Sequence, residues 1–119
     1  MSTPSVHLLS SLADQCTSSR EVRKTDLHIG DWLVVDTANS RYLIRPLHHG
    51  FYSVSGGWFD KNGLSPFRTR ITGCTWGGSA VKLDVVAALG RHLEFGNRVL
   101  TTAIKSFSLF RCWGKNIDN

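Results

Sequence analysis

Between Gly30 and Arg111 the chain is cut into short β-forming runs, with turn residues recurring about every ten positions, and this rhythm limits the possible folds more than any other feature. Trp32-Leu33-Val34-Val35 is followed by the turn-forming Asp36 to Ser40. Arg41 to Arg45 then alternates, with Tyr42 and Ile44 on one side and Arg41, Leu43 and Arg45 on the other. These two runs are expected to form a hairpin. His48-His49-Gly50 reads as the next turn, Phe51 to Ser55 as the next strand, and Gly56-Gly57 as its end. Trp58-Phe59 leads into a second turn at Asp60 to Gly63. Arg68 to Thr72 and Ala80 to Val86 read as extended, Leu89-Gly90 as a turn, and Ile104 to Arg111 as the last strand. His92 to Phe95 and Arg98 to Thr101 flank Gly96-Asn97, the pattern of a hairpin with a two-residue loop.

Seven or eight short strands without a helix long enough for a parallel crossover predict a mainly β fold, a small antiparallel barrel or sandwich. The expected core holds Val34, Val35, Ile44, Val54, Ile71, Val85, Leu93, Val99 and Leu109. Thr3 as a cap, Pro4 at the first helical position and the stripe Leu8, Leu12, Cys16 add an N-terminal helix. The chain thus divides into residues 1–24, helix and polar linker, residues 25–112, the β domain, and residues 113–119, a tail. At 119 residues it is long enough for one real core and too short for two.

Four groups of residues, Gly30-Asp31-x-Leu33-Val34-Val35-x-Thr37-x-Asn39-Ser40-x-Tyr42, Gly56-Gly57-x-Phe59, Gly77-Gly78-Ser79-x-x-Lys82 and Thr101-Thr102-x-Ile104-x-Ser106, carry a resemblance. Over residues 30–106 the chain resembles a group of short uncharacterised bacterial all-β proteins. The resemblance implies a compact β domain; it brings no activity and no ligand residues.

Gly73 to Lys82 breaks the run of strands with Gly73, Gly77 and Gly78 around Trp76, and is expected to hold a bulge, a turn or a contact surface. Ser79 and Lys82 have the Ser-x-x-Lys spacing of some acyl-transfer enzymes, in which lysine one helical turn away deprotonates the serine. On strand-like flanks, however, positions three apart face opposite sides, and the partner motifs are missing. The Gly-Lys-Ser/Thr ending of a phosphate loop is also missing. His48 and His49 are neighbours without a carboxylate motif, and Cys16, Cys74 and Cys112 form no Cys-x-x-Cys pair, so neither a metal centre nor a disulfide framework is expected. No enzyme activity and no cofactor is expected.

Fourteen Lys and Arg against nine Asp and Glu give a net charge of +5, which suits an anionic partner without demanding one. Arg41, Arg45, Arg68 and Arg70 fall at alternate strand positions, with Trp58, Phe59, Phe67 and Trp76 in flanking segments. Such a set would make phosphate contacts and stack bases on a sheet face. The plainer account is that the arginines only solvate the outside while the aromatics fill the core. Four Trp and six Phe, with the separate stripe Leu8, Leu9 and Leu12, leave more apolar surface than a narrow core encloses. The expectation is therefore a non-enzymatic binding or assembly module. It would engage another protein, or itself as a homo-oligomer, through the aromatic loops, the N-terminal helix and the Trp76-Gly77-Gly78-Ser79 to Lys82 segment, with nucleic-acid binding through the arginine face as the alternative. No apolar run reaches the ~20 residues of a membrane span, and the cytoplasm is the expected compartment.

Overall fold

Strict alternation in the second and third runs builds the first sheet, because side chains two apart share a face. A computed structural model of the chain describes residues 21–75 and 81–111. Strands β1 (Glu21–Arg23), β2 (Trp32–Thr37), β3 (Arg41–Pro46), β4 (Tyr52–Gly56) and β5 (Phe67–Thr69) are followed by β6 (Ile71–Thr75), β7 (Val81–Lys82), β8 (Val85–Ala88), β9 (His92–Phe95) and β10 (Ile104–Phe110). Helix α1 (Gly57–Lys61) sits between β4 and β5. Every pairing is antiparallel. One sheet has the order β10-β2-β3-β4-β5, a second β7-β6-β9, and a third pairs β1 with β8. The mainly β, antiparallel architecture is as expected. Among the described residues the sheets do not close into a barrel.

All three sheets contribute to one core. Leu33, Val35, Ile44 and Val54 come from the first, Ile71, Leu93 and Phe95 from the second, and Val22 with Val85 from the third. Phe59 is fully buried at the centre, edge-on to Phe95 with centroids 5.0 Å apart and stacked on Phe67 at 5.3 Å. Tyr42 meets both Phe59 and Phe95. Rings in these edge and stacked geometries add about 0.5–1.5 kcal/mol per pair beyond their burial.

Several expectations are corrected. Val34 and Val99 are only partly buried, and Leu33 takes the inward place in β2. Glu21–Arg23, read as the end of a polar linker, is a strand: Val22 is fully buried and pairs with Ala87. Within the run read as Ala80 to Val86, the described residues from Val81 on form two strands separated by a turn at Leu83–Asp84. Trp58 and Phe59, read as leading into the turn at Asp60 to Gly63, lie on α1. The hairpin after β9 turns through three residues, not two. Arg98 donates its N–H to the Phe95 carbonyl at 2.8 Å and holds a left-handed φ of 71°, the bulged form of a three-residue loop. Its return arm pairs through a single bridge, Glu94 to Leu100. The expected N-terminal helix and the tail at 113–119 lie outside the described residues.

Two glycines are fixed by close backbone approach. At Gly73 (φ 150°) a Cβ would collide with the Lys82 carbonyl, and at Gly56 (φ 98°) with the Arg41 carbonyl. Gly73 also marks a register shift in the β6–β9 ladder, so this first glycine of the Gly73 to Lys82 stretch serves a bulge.

Candidate functional site

The inner face of the five-stranded sheet is core, and its outer face carries an unusual row. Phe110 pairs with Trp32, the Arg45 guanidinium lies 4.5 Å over the Trp32 ring, Arg45 pairs with Ser53, and Ser53 with Arg68. Beside this row, Phe51 carries two guanidinium groups, Arg68 at 4.1 Å and Arg70 at 4.3 Å from its ring centroid. The row thus crosses all five strands, a width of ~19 Å at ~4.8 Å per strand, with aromatic or cationic groups on four of them and Ser53 on β4. Arg45, Arg68 and Arg70 are exposed, and among the described residues none of them is ion-paired. Each guanidinium is held over an aromatic face and keeps hydrogen-bond donors free for an anion.

A buried staple holds the row at one edge. Asp31 precedes Trp32 and Arg111 follows Phe110, and Arg111 Nη1 donates to Asp31 Oδ2 at 3.1 Å. Asp31 is fully buried. The same Oδ2 accepts the His28 backbone N–H at 2.8 Å, while the Asp31 N–H reaches the His28 carbonyl at 2.9 Å, closing the turn before β2. Arg111 Nη2 also donates to the Asp26 carbonyl at 3.1 Å.

Next to Phe51 a cleft of about 400 Å³ opens among Lys24, Ile29, Leu47, Phe51, Tyr52 and Arg70. Burial pushes the Lys24 ammonium below the usual lysine value; the Asp84 charge works against this and the Arg70 charge adds to it. Burial likewise raises the Tyr52 phenol. Arg70 belongs to both the cleft and the row.

Of the residues singled out from sequence, the structure brings together Arg45, Arg68 and Arg70. Arg41 shares their sheet face but is taken up by Asp36, which accepts from its Nε at 2.6 Å and its Nη2 at 3.3 Å. Lys82 lies in β7, in another sheet, 3.8 Å from Glu21. Phe59 is fully buried core, which corrects its place in a binding loop, whereas Trp58 is 37% exposed. Trp76, Gly77, Gly78 and Ser79 lie outside the described residues, and with them the serine of the Ser-x-x-Lys spacing. Sequence reading missed Trp32, Phe51 and Phe110 as partners of the arginines. Trp32 had no signal of its own, since four apolar residues in a row, Trp32 to Val35, show no alternation; Phe51 and Phe110 were read only as strand residues.

Among the described residues no three His, Cys, Asp or Glu side chains gather as a metal centre, and no helix is long and apolar enough to cross a membrane. Cys74 is buried, and burial pushes its thiol up to about 12, so it is no nucleophile at neutral pH. No family model, no curated protein and no solved structure matches the chain.

Proposed function

We propose that this protein is a non-enzymatic binding module whose outer sheet face takes single-stranded nucleic acid. The observation that carries this reading is the aromatic–cation row: three arginines without carboxylate partners among the described residues lie over Trp32 and Phe51 on one face. Guanidinium planes braced in this way supply phosphate contacts at their edges and stacking surfaces on their free sides, a combination that tolerates any base sequence. The net charge of +5 works in the same direction. A duplex is a poorer fit, because a broad sheet face enters neither groove as a helix or ribbon does.

Fluorescence anisotropy with mixed-sequence single-stranded oligonucleotides over a salt series tests the reading. With three arginine contacts, log K should fall with log salt with a slope of about −2, taking ~0.7 per phosphate. Arg45→Gln or Arg68→Gln should each reduce that slope by about 0.7. Absence of binding at low salt, or binding indifferent to salt, would overturn it. A second reading, docking of another protein or a second copy, rests on the 37% exposure of Trp58 on α1. Sedimentation of the wild type against Trp58→Ala separates it from the first.

A further inference from the structure

The cleft beside Phe51 is not needed to hold the middle of a strand, yet it is built from groups that suit a different part of one. We infer that it seats a phosphomonoester carried on a flat or apolar body. The terminal phosphate of a bound nucleic-acid strand is one source and a free nucleoside monophosphate the other. Two cations, Lys24 and Arg70, line the same cavity, and among the described residues neither is ion-paired. Tyr52 also lines the cleft, and its hydroxyl makes no hydrogen bond to a described residue.

Charge selects the ligand. A phosphodiester within a chain bears one negative charge, whereas a phosphomonoester bears about −1.5 to −2 at neutral pH, which matches two cations. Most of the rest of the wall is apolar, with Ile29 53% and Leu47 37% exposed at the cleft and Phe51 beside them. An inorganic anion would leave that surface wet; a base or another flat group would cover it. The volume of about 400 Å³ lies within the usual ~300–1,000 Å³ of small-ligand sites. Arg70 joins the cleft to the sheet face, so a strand crossing the row from Trp32 to Phe51 would bring its end to Lys24. The strand-end version of this inference rests on the proposed function; the free-nucleotide version does not.

Three oligonucleotides of one sequence, with a 5′-phosphate, a 3′-phosphate or hydroxyls at both ends and the dye placed away from the tested end, separate these cases by anisotropy. Nucleoside monophosphate is titrated in parallel by calorimetry. One phosphorylated end should bind roughly tenfold tighter than the hydroxyl ends, the effect of one additional charge-assisted contact. Lys24→Met, or Lys24→Gln should the first variant fold poorly by circular dichroism, should abolish that preference and leave the hydroxyl-ended strand bound within about twofold. Equal binding of all three oligonucleotides, with no monophosphate uptake, overturns the inference and leaves the sheet-face reading standing. Lys24-dependent monophosphate binding without oligonucleotide binding supports the cleft and defeats the sheet-face reading. A phosphate preference that survives both Lys24 variants also overturns the assignment of the cleft.

Discussion

Replacing Asp31 with alanine removes the carboxylate that holds Arg111 and the His28 backbone N–H at once. Breaking one partner of a buried ion pair costs about 3–5 kcal/mol, chiefly because the remaining charge stays buried. Here the lower end applies. The Arg111 side chain retains 16% exposure and its bond to the Asp26 carbonyl, and Asp31 Oδ1 has no hydrogen-bond partner among the described residues, so its removal relieves one unsatisfied acceptor. The unpaired His28 N–H adds about 1 kcal/mol to the cost, offsetting that relief. The expected cost of Asp31→Ala is therefore about 3 kcal/mol, a large share of the 5–15 kcal/mol that domains of this kind possess. In urea, with a slope of about 1.5 kcal/mol/M, the midpoint should fall by about 2 M. The double variant Asp31→Ala/Arg111→Met should lose less than the two single losses added, since no orphan charge is left behind. A cost of Asp31→Ala below about 0.5 kcal/mol, or additivity of the two changes within about 0.5 kcal/mol, would refute the staple.

Cys74 gives the chain a sensitivity to alkali. Its thiol, raised by burial from 9.0 to about 12, keeps its proton in the folded chain over a window in which the unfolded chain releases it. Stability from this group is thus complete below about pH 9 and lost as pH rises towards 12, by linkage, and the raised Tyr52 phenol acts in the same direction. Melting temperatures between pH 8 and 11 should fall less steeply in Cys74→Ala than in wild type, and identical slopes would dismiss the thiol. Arg98→Gly should stabilise the chain by up to about 1 kcal/mol, because glycine relieves the left-handed strain at φ 71° for somewhat more than it loses in unfolded-state freedom. Differential scanning calorimetry should show a rise of a few degrees, and a lower melting temperature would mean that the Arg98 side chain makes a needed contact.

What could be read from the sequence depended on whether a signal was local. The hairpin from Trp32 to Arg45 was legible because alternation at Tyr42 and Ile44 fixed one face, and both are buried. Four apolar residues in a row, Trp32 to Val35, carry no such phase, and so Val34 was placed inward when Leu33 and Val35 are the buried pair. Glu21–Arg23 was hidden by polarity: only Val22 turns inward, and its partner Ala87 lies far along the chain. Gly96-Asn97 announced a turn, but the left-handed residue falls one place later, on Arg98, where an arginine gives no hint of it. Phe59 looked like a loop aromatic because a five-residue helix is too short to show a helical period.

The candidate site divides along the same line. Arg45 and Arg68 were found because alternation placed them outward, but alternation across a break in the chain placed Arg70 correctly for a reason that did not hold. Arg70 falls between β5 and β6 and joins Arg68 through the shared ring of Phe51, not through a continuous strand. Arg41 followed the rule and was still lost to the site, since the turn that starts β3 also brings Asp36 opposite it. Which arginine stays free is decided by the cross-strand neighbour, a carboxylate for Arg41 and Ser53 for Arg45 and Arg68, and that choice is made by register. The register at the Phe110–Trp32 end is held by Asp31 and Arg111, whose 80-residue separation leaves no pattern in the sequence. The part of the site that the sequence hid therefore includes the pair that flanks Trp32, the ring beneath Arg45.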